Sequence, residues 1–322
     1  MTKLIATHRG TFHADDVFGV AVLATVFPDP VIVRTRNAEE IARADFAVDV
    51  GGIWDPAAGR FDHHQRGFEG ARTRADGGPE KYASAGLVWR EYGVACVQRL
   101  AHTLGHSVTA EVAARIAADA DASLVRYLDL VDNGAAEVAP GIFGLSSQVS
   151  LLNSTWLEEQ ALDADAVARL QLERFHEAMA IADRTLRRFV LRAVGQVLAA
   201  ETVRTSSRLL HGKVLVLANG GMPWTRVVVP EMPDVLLVIY PETGRTQYQI
   251  RTVPAAEGSF ASRLDLPHEW AGLRDEELAS VTGVPDAVFC HSNLFIAGAR
   301  TLEGALRMAD LALHARVADH ER

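Results

Sequence analysis

KLIATHRGTFHADDVFGVAVLATVF, residues 3–27, holds an apolar run of strand length, a polar loop and a helical segment in that order. Lys3–Thr7 is the strand, and residues 15–27 carry apolar side chains on nearly every side of a helix. A helix without a polar face must be buried, so strand and helix belong to one layered core. Residues 31–52, VIVRTRNAEEIARADFAVDVGG, repeat the alternation. Val31–Thr35 reads as a second strand. Asn37 followed by Glu40 is the capping-box arrangement that starts a helix. Phe46–Val50 reads as a third strand, apolar enough to be buried on both faces, and it ends at Gly51-Gly52. This βαβαβ order predicts an α/β fold with a parallel sheet flanked by helices.

Further along, residues 67–80 read as a loop containing glycine and arginine, and Ser84–Asp132 as Ala-rich helix. A second long helical segment is expected over Asp163–Thr205. β-branched runs return at Val214–Leu217, Val235–Tyr240, Tyr248–Val253 and Ala287–His291, and a final helix is expected from Thr301 to about Val317. The expected division is a catalytic domain over residues 1–205, including the helical connector, and a smaller α/β C-terminal substrate-binding domain over residues 206–322.

A chain of 322 residues that is 48% hydrophobic and 23% charged suits two cores rather than disorder. The N-terminus lacks the pattern of a secretory leader, and no apolar run reaches membrane-spanning length. Two cysteines, Cys96 and Cys290, supply neither a disulfide framework nor a four-thiolate zinc site. The expectation is a soluble protein of a reducing compartment, the cytoplasm, with no membrane partner. The net charge of −9 argues mildly against holding long duplexes, and leaves short or single-stranded substrates open.

Three segments place metal-capable side chains at strand ends: His8 to Asp16 after the first strand, Asp49 at the end of the third, and Asp62-His63-His64 beyond it. In an open parallel sheet, ligands gather outside the carboxyl ends of the strands, so His8, His13, Asp15 and Asp49 should converge. Four of the 12 histidines fall in the first 64 residues, each beside an aspartate-bearing loop. Imidazole and carboxylate donors without thiolate suit Mn²⁺ or Mg²⁺, and Fe²⁺ or Zn²⁺ less well. Asp132 ends a helical pattern at Asn133-Gly134, where the helix dipole disfavours an acid, so a cation there would compensate. A solvated helix end explains Asp132 equally well. Cys290 lies in an apolar strand and reads as a buried, inert thiol rather than a nucleophile.

At Asp62-His63-His64 the sequence resembles the DHH superfamily of phosphoesterases. More specifically, it is similar to the Myg-type (melanocyte-proliferating-gene) family, whose eukaryotic members are 3′–5′ RNA exonucleases. The matching runs include Thr7-His8, Gly10-Thr11-Phe12-His13-x-Asp15, Val48-Asp49-Val50-Gly51-Gly52, Ser84-Ala85-Gly86-Leu87, Val131-Asp132-Asn133-Gly134 and Leu152-Asn153-x-x-Trp156. In the second half they are Ser259-Phe260-x-Ser262-Arg263, Trp270-x-Gly272-Leu273-Arg274, Cys290-His291, Phe295-Ile296-x-Gly298 and Thr301-x-Glu303-Gly304-Ala305.

The resemblance implies two divalent ions, Mn²⁺ or alternatively Mg²⁺, bridged by Asp49. His8 or His13 would serve one ion, and Asp15, His63 and Asp132 the other. The usual first motif has an aspartate where His13 stands, which leaves the choice between His8 and His13 open. Asp62 would orient a histidine, and His64 would touch the scissile phosphate. Arg66, Arg263, Arg274, His291 and Gly298 become candidates for substrate contact, Arg274 equally for an ion pair with Glu276 or Glu277.

The implied activity is a metal-dependent phosphodiesterase, a 3′–5′ exonuclease on short single-stranded RNA or DNA. A small-molecule pyrophosphatase or nucleotide phosphodiesterase is the alternative within hydrolases, and a non-catalytic metal or nucleotide sensor the alternative outside them. The complete donor set favours the enzyme. P-loop, dinucleotide-binding and serine-hydrolase signatures are absent. Aliphatic faces of the long helices would serve a core or a homodimer equally.

Overall fold

The computed structural model describes residues 2–74, 76–135, 144–244 and 246–320. The chain forms two compact units, Met1–Val194 and Gly195–Arg322. This division falls within the long helix expected over Asp163–Thr205.

In the first unit the elements are β1 (Leu4–Thr7), α1 (Ala14–Val26), β2 (Val31–Arg34), α2 (Ala38–Arg43), β3 (Phe46–Val48), β4 (Trp54–Asp55) and β5 (Arg60–Phe61). A small hairpin of β6 (Ala71–Thr73) and β7 (Pro79–Lys81) comes next. The helices α3 (Ser84–Thr103), α4 (Ala110–Ala120), α5 (Arg126–Asp132), α6 (Leu145–Ser150) and α7 (Trp156–Glu159) follow, and α8 (Ala164–Thr205) begins in this unit and ends in the second. The main sheet has the order β2-β1-β3-β5-β4. Its β1, β2, β3 and β5 run parallel, and only the edge strand β4 is antiparallel.

The all-apolar α1 is buried from Ala14 to Leu23, as its sequence requires. Gly19 permits this: a Cβ there would lie 2.9 Å from Val48 Cγ1, so the helix settles directly onto β3. The helix also packs against α3, with Phe18 and Trp89 rings 6.1 Å apart. The Asn37 side chain caps α2, accepting from the N–H groups of Glu39 and Glu40 at 2.8 and 3.2 Å.

Two expectations change. The segment over residues 67–80 contains the β6–β7 hairpin rather than loop alone, held by Arg72 and Glu80 reaching distant helices. The helical stretch after Ser84 is broken at Gly105, whose φ of +83° ends α3, and resumes where Thr109 Oγ1 accepts from Val112 N–H. A π-turn over Asp121–Val125 then leads into α5.

The second unit contains β8 (Ser207–Leu209), β9 (Val214–Val216), α9 (Thr225–Glu231), β10 (Leu237–Pro241), β11 (Tyr248–Thr252), α10 (Asp275–Thr282), β12 (Ala287–Cys290), β13 (Ile296–Ala299) and α11 (Leu302–His320). Its sheet order is β12-β13-β11-β10-β9-β8, parallel only between β9 and β10. Period-two alternation puts Leu237, Ile239, Ile250 and Ala297 on one face with Leu278 and Met308. Leu215 and Val238 lie on the other with Val227 and Val228 of α9. No described helix is long and apolar enough to cross a membrane.

Candidate metal centre

Parallel pairing of β1 with β3 brings their carboxyl ends side by side, and the side chains that follow them meet there. Asp49 sits just past β3 with φ of +57°, a left-handed conformation that aspartate tolerates better than most residues. Gly51 and Gly52, also at positive φ, complete the turn. Gly52 donates its N–H to Asp62 Oδ2 at 2.6 Å, which ties the turn to the strand beyond.

The Asp49 carboxylate lies between two groups of imidazoles. His8 Nε2 is 3.4 Å from Oδ2, while His63 Nε2 and His64 Nδ1 are each 3.4 Å from Oδ1. Ser84 Oγ donates to Oδ1 at 2.9 Å and fixes the carboxylate plane. Burial alone would raise the Asp49 pKa, but contact with His63 and His8 outweighs it and holds the carboxyl well below its usual range. Asp132, at the end of α5, approaches His63 Nε2 to 3.1 Å. His63 is pushed up to about 9: burial opposes protonation, and Asp132 and Asp49 favour it more strongly. For His8, burial again opposes and Asp16 with Asp49 prevails, giving about 10. Asp15 is raised well above the ordinary carboxylate range, first by burial and then by Asp49, Asp132 and Asp16.

Three donor sets can each hold an ion: His8, His13 and Asp49; Asp49, His63 and His64; His13, Asp15 and Asp132, with donor atoms in each set within 4.8 Å of one another. Both His8 and His13 therefore stand at the centre, and Asp49 is common to two sets. His8 Nε2, His63 Nε2 and Asp15 Oδ1 are buried without a hydrogen-bond partner. Buried polar atoms are nearly always paired. Unpaired atoms that belong to these donor sets, close to carboxylates yet off hydrogen-bond lines, fit a cation.

Asp62 holds His64, not His63: its Oδ1 accepts from His64 N–H at 3.0 Å and lies 2.8 Å from His64 Nδ1. The other nitrogen of His64 is thereby left free, and the residue lines a cleft of about 680 Å³ with Asp15, Asp49 and Asp132.

The remaining candidates for substrate contact have different surroundings. Arg66 is exposed and does not line the cleft. The Arg263 guanidinium donates to the carbonyls of Met232, Val235, Val228 and Val229 at 2.7, 2.9, 3.4 and 2.6 Å. It closes the end of α9 and has no open fork for phosphate, which corrects the expected role. Gly298 is buried under Phe289, whose ring carbon would lie 2.7 Å from an added Cβ, so packing rather than substrate demands glycine there. Arg274 stacks 5.9 Å over Phe289 and has no ion pair to Glu276 or Glu277 among the described residues. His291 is exposed, with Nδ1 accepting from Asn293 N–H at 3.0 Å. Cys290 is buried, and burial pushes its thiol up to about 11, too high for a nucleophile.

Sequence reasoning passed over three supports. Asp16 accepts from His13 N–H at 2.8 Å and places Oδ2 3.3 Å from His8 Nε2. Ser84 links α3 to Asp49, and its own N–H donates to Asp15 Oδ2 at 3.3 Å. Asn153 exchanges hydrogen bonds of 2.8 and 3.0 Å with the Phe12 backbone and so fixes the loop bearing His13. Ser84 and Asn153 lay inside matched motifs, which was the available signal.

The fold and cluster define an α/β protein with a histidine–aspartate centre able to hold metal. Comparison takes this further. The MYG1 exonuclease family model, described as "Uncharacterised protein family (UPF0160)", matches residues 4–313. The rat protein named MYG1 exonuclease is 36% identical over 340 residues, covering 98% of this chain and 85% of its own. The human MYG1 exonuclease is 35% identical over 338 residues, covering 97% and 86%. A Caenorhabditis elegans MYG1 protein is 32% identical over 336 residues, covering 97% and 96%. The chain belongs to the MYG1 family.

Proposed function

We propose that this protein is a metal-dependent phosphodiesterase that removes nucleotides from the 3′ end of short single-stranded RNA. The observation that carries the reading is the set of unpaired buried atoms, His8 Nε2, His63 Nε2 and Asp15 Oδ1, around a carboxylate shared between donor sets. The exonuclease names of the rat and human relatives support nucleic acid as the substrate.

His8, His13 and Asp49 would hold one divalent ion, and Asp15, Asp49, His63 and Asp132 a second, with Mn²⁺ suited to the mixed donors. Bound there, such ions supply an acidified water and neutralise charge on the phosphate oxygens. The chain does the rest. Ser84 and the left-handed turn hold Asp49 in one orientation. Asp62 presents His64 to the cleft, where its free nitrogen meets a phosphate oxygen. The unit after Val194 would act as the substrate-binding domain, with His291 and Arg274 offering exposed donors.

The test is incubation of the full-length protein with Mn²⁺ and, in parallel, 5′-labelled short RNA, the matching DNA, and pyrophosphate. A ladder shortening from the RNA 3′ end is expected. Phosphate release from pyrophosphate with the RNA intact would replace this reading with that of a small-molecule pyrophosphatase.

A further inference from the structure

A second cavity, of about 500 Å³, adjoins the metal cleft and shares Arg36, Val50 and Gly51 with it as a common wall. Its volume lies in the range of small-molecule sites, roughly 300–1,000 Å³. The lining is aliphatic: Ala38, Ile41 and Ala42 come from α2, and Val50 and Ile53 from either side of the glycine turn. Ile41 and Val50 also pack into the small core cluster beneath β1 and β3. Ile53 does not: it is 52% exposed, a large aliphatic side chain standing in solvent at the edge of this cavity.

Two arginines line the cavity and behave oppositely. Arg60 donates to the carbonyls of Ala42 and Ala44 at 3.3 and 3.0 Å and so closes the end of α2. Arg36 is exposed, and its side chain has no hydrogen bond or ion pair among the described residues. It is also the one lysine or arginine, among the described residues, that lines the acidic metal cleft. An unengaged guanidinium on the wall between a metal-capable cleft and an aliphatic chamber offers a donor fork to a phosphate passing between them. The chamber behind it offers an aliphatic surface to a flat, weakly polar ring.

We propose that this chamber is a nucleotide subsite, in which Arg36 takes the phosphate neighbouring the one being cut and Ala38, Ile41, Ala42 and Ile53 hold the attached nucleobase. The assignment rests on the phosphodiesterase reading for its place in the reaction, but the recognition of base and phosphate is testable without hydrolysis.

The experiment is calorimetric titration of adenosine 5′-monophosphate and of ribose 5-phosphate into the manganese-loaded full-length protein. Wild type should bind the nucleotide at least about tenfold tighter than the sugar phosphate, a difference of roughly 1.4 kcal/mol. Ala42→Trp, placed at an exposed helix position, fills the chamber. It should bring the nucleotide down to the sugar phosphate while leaving the latter within about twofold of wild type. Ile53→Ser, also at an exposed position, should lose part of the preference with the fold untouched. Arg36→Met should weaken both ligands by about fivefold to tenfold, the loss of one charge-assisted contact. Equal binding of the two ligands by wild type, or a nucleotide preference that survives Ala42→Trp, overturns the proposal. A preference abolished by Ala42→Trp in a protein that leaves RNA intact would uphold the subsite and reject the nuclease.

Discussion

Two clusters of ionisable side chains share helices α3 and α5 of the first unit, and they are built in opposite ways. In one, Arg72 donates to both oxygens of Asp121 at 2.7 and 2.6 Å and to Asp129 at 2.5 Å, while Arg126 grips Glu80 at 2.7 and 2.8 Å. Asp129 completes its shell with Gly86 N–H at 2.9 Å, and Gly86 has no side chain because one would strike that carboxylate. Each carboxylate has its cation, and none of these residues has an unpaired buried atom among those described. In the other, one turn further along α5, Asp132 joins Asp15, Asp49 and four imidazoles around buried atoms that have no hydrogen-bond partner. The difference that matters is completeness. A saturated ion network is structural, and an unsaturated one facing a cleft asks for a ligand from outside.

The contrast can be broken by substitution on either side. Asp49→Ala should lower RNA hydrolysis by at least about a hundredfold, with the far-ultraviolet circular dichroism of the wild type retained. Hydrolysis at the wild-type rate would remove Asp49 from the chemistry. Asp129→Ala, on the saturated side, should cost about 3 kcal/mol in denaturant unfolding, because Arg72 is left buried beside a missing partner. Its capacity for Mn²⁺ should persist; a stable variant without metal would show that the two clusters are one.

Asp15→Asn should do the reverse of Asp129→Ala. The Asp15 pKa is raised in the folded protein, by burial first and by Asp49, Asp132 and Asp16 after it. The stability it contributes is therefore present below the unfolded carboxylate pKa and is lost as pH rises through the folded value. At pH 7 the metal-free Asp15→Asn protein should be more stable than wild type by about 1 kcal/mol, with a flatter pH dependence and weaker Mn²⁺ binding. A lower melting temperature for that metal-free variant would contradict this. The smallest effect is expected for Ser84→Ala, which frees the Asp49 carboxylate from one hydrogen bond. Loss of about 1 kcal/mol of metal affinity, near fivefold in Kd, should be visible by calorimetry.

Much of the first unit was legible in the sequence because its signals are local. The apolar strand at Lys3–Thr7, the all-apolar helix after His13 and the Asn37 cap each state their own structure, and parallel order follows from their alternation. The donor residues were legible for the same reason: histidines and aspartates directly after strands have few structural uses. What stayed hidden depends on distant partners. The β6 and β7 strands are three residues each and exist because Arg72 and Glu80 meet residues about fifty positions on. Arg263 looked like a phosphate contact because its sequence neighbours do not reveal the four carbonyls it meets. Asp62 sits beside His63 in sequence but beside His64 in space, since a two-residue step lets its carboxylate reach back to the later backbone N–H.

The central claim is that His8, His63, Asp15 and their neighbours form a metal centre organised by Asp49. It is tested most directly by titrating Mn²⁺ into the metal-stripped full-length protein at pH 7, in two buffers of different ionisation enthalpy. His8 and His63, held protonated near 10 and 9 without metal, must give up protons to bind it. The account predicts about two ions per chain, with protons released to the buffer, and loss of both sites in Asp49→Ala. Binding without proton release, or unchanged binding in Asp49→Ala, would contradict it.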